Sequence, residues 1–121
     1  MKNTQKLVLA SILAALYNVP AMAATCIPGG TSDSPTLICT PTDSGSINDN
    51  RDNLSVTVES GAQIVRATGR PVQLEGSNQT LNNQGLIESG DDDAIRGKGV
   101  NLTIDNSGTI RGGDRGIRLQ D

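Results

Sequence analysis

From Leu54 onward the chain repeats itself, and that constrains its fold more than any other feature. Three rows are visible: LSVTVESGAQIVRATGRPVQLEG (54–76), SNQTLNNQGLIESGDDDAIRGKG (77–99) and VNLTIDNSGTIRGGDRGIRLQD (100–121). They are 23, 23 and 22 residues long. Laid over one another, they align Thr57, Thr80 and Thr103, and next to them Val58, Leu81 and Ile104. Ile64, Ile87 and Ile110 form another column, and Val72, Ile95 and Ile117 another after a one-residue deletion in the third row. Gly85 and Gly108 align, with Gly61 one place early.

Within a row the apolar positions alternate with polar ones, as in Val56 and Val58 or Leu102 and Ile104. That is the period of a strand, and no stretch after Pro20 has helical spacing. Three short strands per row make one coil of a right-handed parallel β-helix, so the expectation is an all-β solenoid of about three coils. Coils stack at the inter-strand spacing of about 4.8 Å, which turns each aligned column into a vertical ladder. The nine column residues Val58, Leu81, Ile104, Ile64, Ile87, Ile110, Val72, Ile95 and Ile117 are the expected core. Ladders of β-branched residues fill a narrow prism without large rings, and this chain has one Tyr, no Trp and no Phe.

The columns also imply contacts on the surface. Asn83 lies under Asn106 and Glu88 under Arg111, and Glu75 is set beside Lys98. Such exposed pairs contribute a few tenths of a kcal/mol, roughly. Two positions depart from the pattern. Arg96 falls under Arg118, a like-charge stack that needs an intervening acid, and Gln79 falls in the column of Val56 and Leu102.

Ahead of the rows, residues 1–23 read as a secretory signal peptide. Lys2 and Lys6 precede an apolar run from Leu7 to Val19, Pro20 breaks it, and Ala21-Met22-Ala23 provides a cleavage site after Ala23. The run of about 13 residues is shorter than the roughly 20 a membrane-spanning helix needs. Cleavage would remove Lys2 and Lys6, taking the ten basic groups to eight against thirteen acidic ones, a net charge of −5. It would also remove the lone Tyr17. Without aromatic platforms or a basic stripe the remaining chain is not built to bind nucleic acid.

Residues 24–53 form a cap segment rich in Pro, Thr, Ser and Asp, expected as irregular strands and turns. It holds the only cysteines, Cys26 and Cys39, which pair in an oxidising compartment. A loop this short is worth roughly 3 kcal/mol when closed. Their spacing is not that of a CxxC redox or metal site.

The strings Asn106-Ser107-Gly108-Thr109-Ile110-Arg111-Gly112-Gly113 and Gly116-Ile117 are preceded by Asn83-Gln84-Gly85-Leu86-Ile87 and Asp93-Ala94-Ile95. They resemble the "N-x-G-x-I-x-G-G … G/A-I" repeats of bacterial autotransporter passenger domains. The order of signal peptide, Cys pair, polar segment and Gly/Asn-rich coils is also similar to that family. The resemblance implies export, a β-helical stalk or display scaffold at the cell surface, and a C-terminal translocator barrel as partner. No barrel strands can be read in these 121 residues. The expectation is therefore an N-terminal piece, with a host or cell-surface ligand and self-association through the open end of the helix as further partners.

Little in the chain suggests catalysis. There is no His, which excludes Ser-His-Asp and Cys-His chemistry and the usual zinc ligands. No phosphate loop or nucleophile elbow occurs, and no cofactor is expected. Asp91, Asp92 and Asp93 are the one metal candidate, since clustered carboxylates suit Ca²⁺. The competing reading is a solvated turn, because neither neighbouring row repeats the cluster and the calcium-binding nonapeptide is not matched. With Arg96 nearby, the cluster would also suit a polysaccharide lyase or hydrolase on a β-helix, the enzymatic alternative. A small periplasmic β-solenoid is the third reading. Asn53-Leu54-Ser55, Asn78-Gln79-Thr80 and Asn101-Leu102-Thr103 match the N-glycosylation pattern, but one repeated motif at the start of a strand accounts for all three.

Overall fold

The structure, a computed structural model, describes residues 26–41 and 45–120. The segment 1–23 read as a signal peptide, with its expected cleavage site at Ala23, lies outside the described residues. Among those described there are twelve strands and no helix. β1 (Ile27–Gly30), β2 (Pro35–Cys39) and β3 (Ile47–Asp49) come first. The next coil holds β4 (Ser55–Val58), β5 (Gln63–Arg66) and β6 (Val72–Leu74). It is followed by β7 (Thr80–Asn83), β8 (Leu86–Ser89) and β9 (Ile95–Gly97), then β10 (Thr103–Asn106), β11 (Thr109–Arg111) and β12 (Ile117–Leu119).

These strands make a parallel β-solenoid with three faces. The first face runs β1-β2-β4-β7-β10, the second β5-β8-β11 and the third β3-β6-β9-β12. Every pairing is parallel except β1 with β2. The parallel stack begins at Pro35, inside the segment read as an irregular cap, so there are about four coils rather than three.

The cap is a hairpin laid on the first coil. Its register pairs Ile27 with Ile38 and Gly30 with Pro35, which sets Cys26 opposite Cys39 one step beyond the ladder. The two are joined by a disulfide, and both are buried. The hairpin covers the outer edge of β2, which would otherwise offer unpaired backbone groups.

Inward columns fill the prism. On the second face Ile64, Ile87 and Ile110 stack in register. On the third face Ile47, Val72, Ile95 and Ile117 do so. Ile64, Ile87, Val72 and Ile95 are completely buried. Burial of such side chains contributes about 1.5–3 kcal/mol each. Beside that column, Leu74, Gly97 and Leu119 share an inward position. A methyl group at Gly97 would collide with Leu102, so the glycine there makes room for a neighbouring leucine.

On the first face the register corrects the sequence alignment by two residues. β4 pairs with β7 at Val56–Leu81 and Val58–Asn83, not Val58–Leu81. The apolar column is therefore Leu37, Val56, Leu81 and Ile104, and Val58 belongs to a column with Cys39, Asn83 and Asn106. Thr80 and Thr103 stack on Ser55 rather than Thr57. The physical cause is the first corner. Four residues, Glu59 to Ala62, join β4 to β5, whereas only Gln84 and Gly85 join β7 to β8. Asn83 takes over the shortened corner: its Oδ1 accepts from Gly85 N–H at 3.2 Å, and its Nδ2 donates to Asn106 Oδ1 at 2.8 Å and to the Thr109 carbonyl at 3.1 Å. The expected Asn83–Asn106 ladder is thus present, as the device that lets the corner lose two residues.

The same shift moves Gln79. It occupies the position of Leu54 and Leu102, shown by the bonds from Thr80 N–H to the Leu54 carbonyl and from Thr103 N–H to the Gln79 carbonyl. The column with Val56 is corrected accordingly. Gln79 is fully buried. Its side-chain amide is satisfied by backbone groups: Nε2 donates to the carbonyls of Arg51 at 2.9 Å and Asp49 at 3.3 Å in the coil below, while Oε1 accepts from Gly76 N–H at 3.1 Å.

Candidate functional site

The turn between β8 and β9 carries the three acidic residues, and each carboxylate is engaged differently. Asp91 Oδ1 accepts from Gly69 N–H at 2.8 Å, tying the turn to the coil below. Asp92 Oδ1 accepts from the backbone of Asp93 at 2.7 Å and lies 3.3 Å from Arg70 Nε. Asp93 is fully buried, and neither of its oxygens has a hydrogen-bond partner. It is held instead between two guanidiniums, Arg70 Nε at 3.6 Å and Arg118 at 3.7 Å. Ser89 braces the turn, donating to the Gly69 carbonyl at 2.8 Å and accepting from Asp92 N–H at 3.0 Å.

Asp92 and Asp93 both face Arg70, whereas Asp91 turns to Gly69. Among the described residues no group of three or more His, Cys, Asp or Glu is placed to hold a metal ion. Asp93 instead clamps three successive coils together, since Arg70 precedes β6, Asp93 precedes β9 and Arg118 lies on β12. Opposite charge on two sides offsets the cost of burying this carboxylate, and removing either arginine would take away part of that compensation.

Arg118 also stands directly over Arg96 in the β9–β12 register, as expected from the columns. The acid that relieves the stack is Asp93, which takes Arg118. Arg96 turns to Gln120, donating from Nε to Oε1 at 2.7 Å. The pair of Glu88 with Arg111 forms at 3.3 Å on the second face. Glu75 and Lys98 form no ion pair; Lys98 is tied to the coil below through its backbone bond to the Leu74 carbonyl.

No family model, curated protein or solved structure matches this chain.

Two parts of this arrangement had a signal in the rows. Arg70, Asp93 and Arg115 occupy equivalent places, so a column of alternating charge was readable. The arginine that Asp93 takes from above is nevertheless Arg118, while Arg115 approaches Asp114 at 4.0 Å. The second signal is the Asn-x-Ser/Thr motif. Asn53, Asn78 and Asn101 have φ of 57°, 54° and 60°, the left-handed region that asparagine tolerates better than most residues. Their amides bond in series, Asn101 Nδ2 to Asn78 Oδ1 at 3.1 Å and Asn78 Nδ2 to Asn53 Oδ1 at 3.4 Å. The motif marks where each coil turns into its first-face strand. Its spacings of 25 and 23 residues carry the true register.

Proposed function

We propose that this protein is an exported, non-enzymatic β-helical segment of an autotransporter-like surface protein, acting as a stalk or as a scaffold for display and adhesion. The observation that carries the reading is the solenoid itself. Its interior is lined mainly by apolar columns and its outward positions are mostly polar, a form that spends its sequence on length and surface. A disulfide at the start of the stack suits an oxidising compartment. The carboxylates of the Asp91–Asp93 turn, the best acidic candidates for catalysis, are engaged in backbone bonds and ion pairs. That favours a scaffold over a lyase.

In this reading a translocator barrel acts in the same polypeptide or assembly, and ligands on a host or neighbouring cell are met by the outer faces. Self-association in this reading runs through the coil of β10, β11 and β12, the last described one, whose inward columns are only partly covered. The test is protease treatment of intact source cells, with detection by an antibody against residues 54–121. Loss of the antigen from intact cells is the expected result. Protection in intact cells with release on osmotic shock would overturn surface display and favour a small periplasmic solenoid.

A further inference from the structure

The outward side of the third face carries one continuous polar column. Asn48, Gln73, Arg96 and Arg118 stand in register on β3, β6, β9 and β12. Each is flanked along its strand by inward residues, so all four side chains share the same outer surface. At the inter-strand spacing the column extends roughly 14 Å.

Among the described residues the charge at its upper end is only partly balanced. Arg118 and Arg70 share Asp93, and Arg70 also meets Asp92, whereas Arg96 has no carboxylate within ion-pair distance among the described residues. The Nε of Arg96 is spent on Gln120, and its terminal nitrogens make no hydrogen bond to the described residues. Asp93 relieves Arg118 from one side and leaves Arg96 without a described counter-ion, which an oxyanion lying across the two guanidiniums would supply. Arginine is also the side chain whose planar fork meets an oxyanion with two parallel hydrogen bonds. Below them Gln73 and Asn48 offer neutral amides that both donate and accept, suited to hydroxyl groups. None of the described residues is aromatic, so recognition on this face falls to charge and hydrogen bonding.

We infer that this column is a binding site for an acidic polysaccharide, with an oxyanion group seated on Arg96 and Arg118 and neighbouring hydroxyls on Gln73 and Asn48. The inference deepens the adhesive part of the function proposed above by naming a ligand class. Its test uses purified protein, so its outcome is independent of where the protein resides in the cell.

Dextran sulfate and dextran share one backbone and differ in charge, and they are the probes, with inorganic sulfate as a third. Titration calorimetry at low and moderate salt is expected to show salt-dependent binding of dextran sulfate, no binding of dextran, and much weaker binding of inorganic sulfate. Arg96→Gln leaves both Asp93 ion pairs in place and is expected to lower the affinity for dextran sulfate about ten-fold, the loss of one charge-assisted contact. Arg111→Gln, on another face, is expected to leave it unchanged. If Arg96→Gln does not fold by circular dichroism, Gln73→Ala replaces it, with a several-fold loss expected. Equal affinity of the folded variant and the parent, equal binding of dextran, or inorganic sulfate binding as tightly as the polymer would each overturn the inference.

Discussion

At the scale of single residues, the solenoid depends on polar side chains as much as on its apolar columns. Gln79 interrupts a leucine column, yet it holds three backbone groups of the turns around it. Gln79→Leu restores the column and strands the Gly76 N–H and the Arg51 carbonyl. An unsatisfied buried group costs about 1–3 kcal/mol, more than the added apolar contact returns once the neighbours are already packed. The variant is expected to unfold at lower urea concentration than the parent. Asp49 supports the same turn. Arg51 clasps it through Nε at 3.0 Å and a terminal nitrogen at 2.6 Å, and Arg51 N–H donates to it at 2.9 Å. The side-chain bonds from Arg51 hold its carboxyl below the usual value of 3.8, against the opposing effect of burial. A group whose folded pKa is depressed contributes stability that is present above its unfolded pKa. That stability is lost as pH falls through the folded value. Melting temperatures measured from neutral pH down to about pH 2 should therefore fall less steeply in the acid range for Asp49→Asn than for the parent.

At the scale of strands and corners, the asparagines decide where each coil turns. Asn78 combines a left-handed backbone with a link in the Asn53–Asn78–Asn101 ladder. Asn78→Gly keeps the backbone freedom and loses only the ladder bonds. Asn78→Ala loses both, and an alanine held at positive φ costs about 1–2 kcal/mol more. The expected order of thermal stability is parent, then glycine, then alanine. An alanine variant as stable as the glycine variant would show that the backbone relaxes out of this conformation. This element also shows what could be read in the chain. The second and third faces were legible because Ile64, Ile87 and Ile110 recur at 23 residues, and Val72, Ile95 and Ile117 at 23 and 22, with corners of nearly constant length. The first face was misaligned because Thr57, Thr80 and Thr103 recur at that same interval by coincidence, while the long corner at Glu59 to Ala62 shifts β4 by two places. The hidden coil within the cap segment escaped for a different reason. β2 and β3 carry Pro35-Thr36-Leu37-Ile38 and Ile47-Asn48-Asp49, which share no motif with the rows and are placed by pairing alone. Arg118 as the partner of Asp93 was out of reach of column counting, because a long side chain leaves its own column to find a buried charge.

At the scale of the whole molecule, contacts run from coil to neighbouring coil, and the first and last described coils differ. The lower end of the first face is covered by the β1–β2 hairpin and its disulfide. On the last described coil the columns continue into solvent: Ile104 and Ile110 are half-buried, Ile117 is 43 % exposed and Leu119 is 66 % exposed, while the same columns one coil below are closed. Three parallel strand edges around an apolar centre form a surface for further pairing. Sedimentation of the purified protein is expected to show reversible association that rises with concentration. Ile117→Lys combined with Leu119→Lys is expected to shift it to the monomer without loss of the lower coils, as read by circular dichroism. Association unaffected by the two lysines would place the contact elsewhere.

The asparagine ladder bears directly on how this protein is produced. Its three members, Asn53, Asn78 and Asn101, are each followed by the residues that a eukaryotic oligosaccharyltransferase accepts. That enzyme acts on the nascent chain and attaches its sugar to Nδ2, the atom Asn78 and Asn101 use to bond the coil beneath. A chain secreted from yeast or animal cells would therefore arrive at its folding step with the seams between coils already occupied by bulky glycans. Bacterial periplasmic expression avoids this, and replacing Ser55, Thr80 and Thr103 by valine would remove the acceptor signals while leaving the three asparagines free to stack.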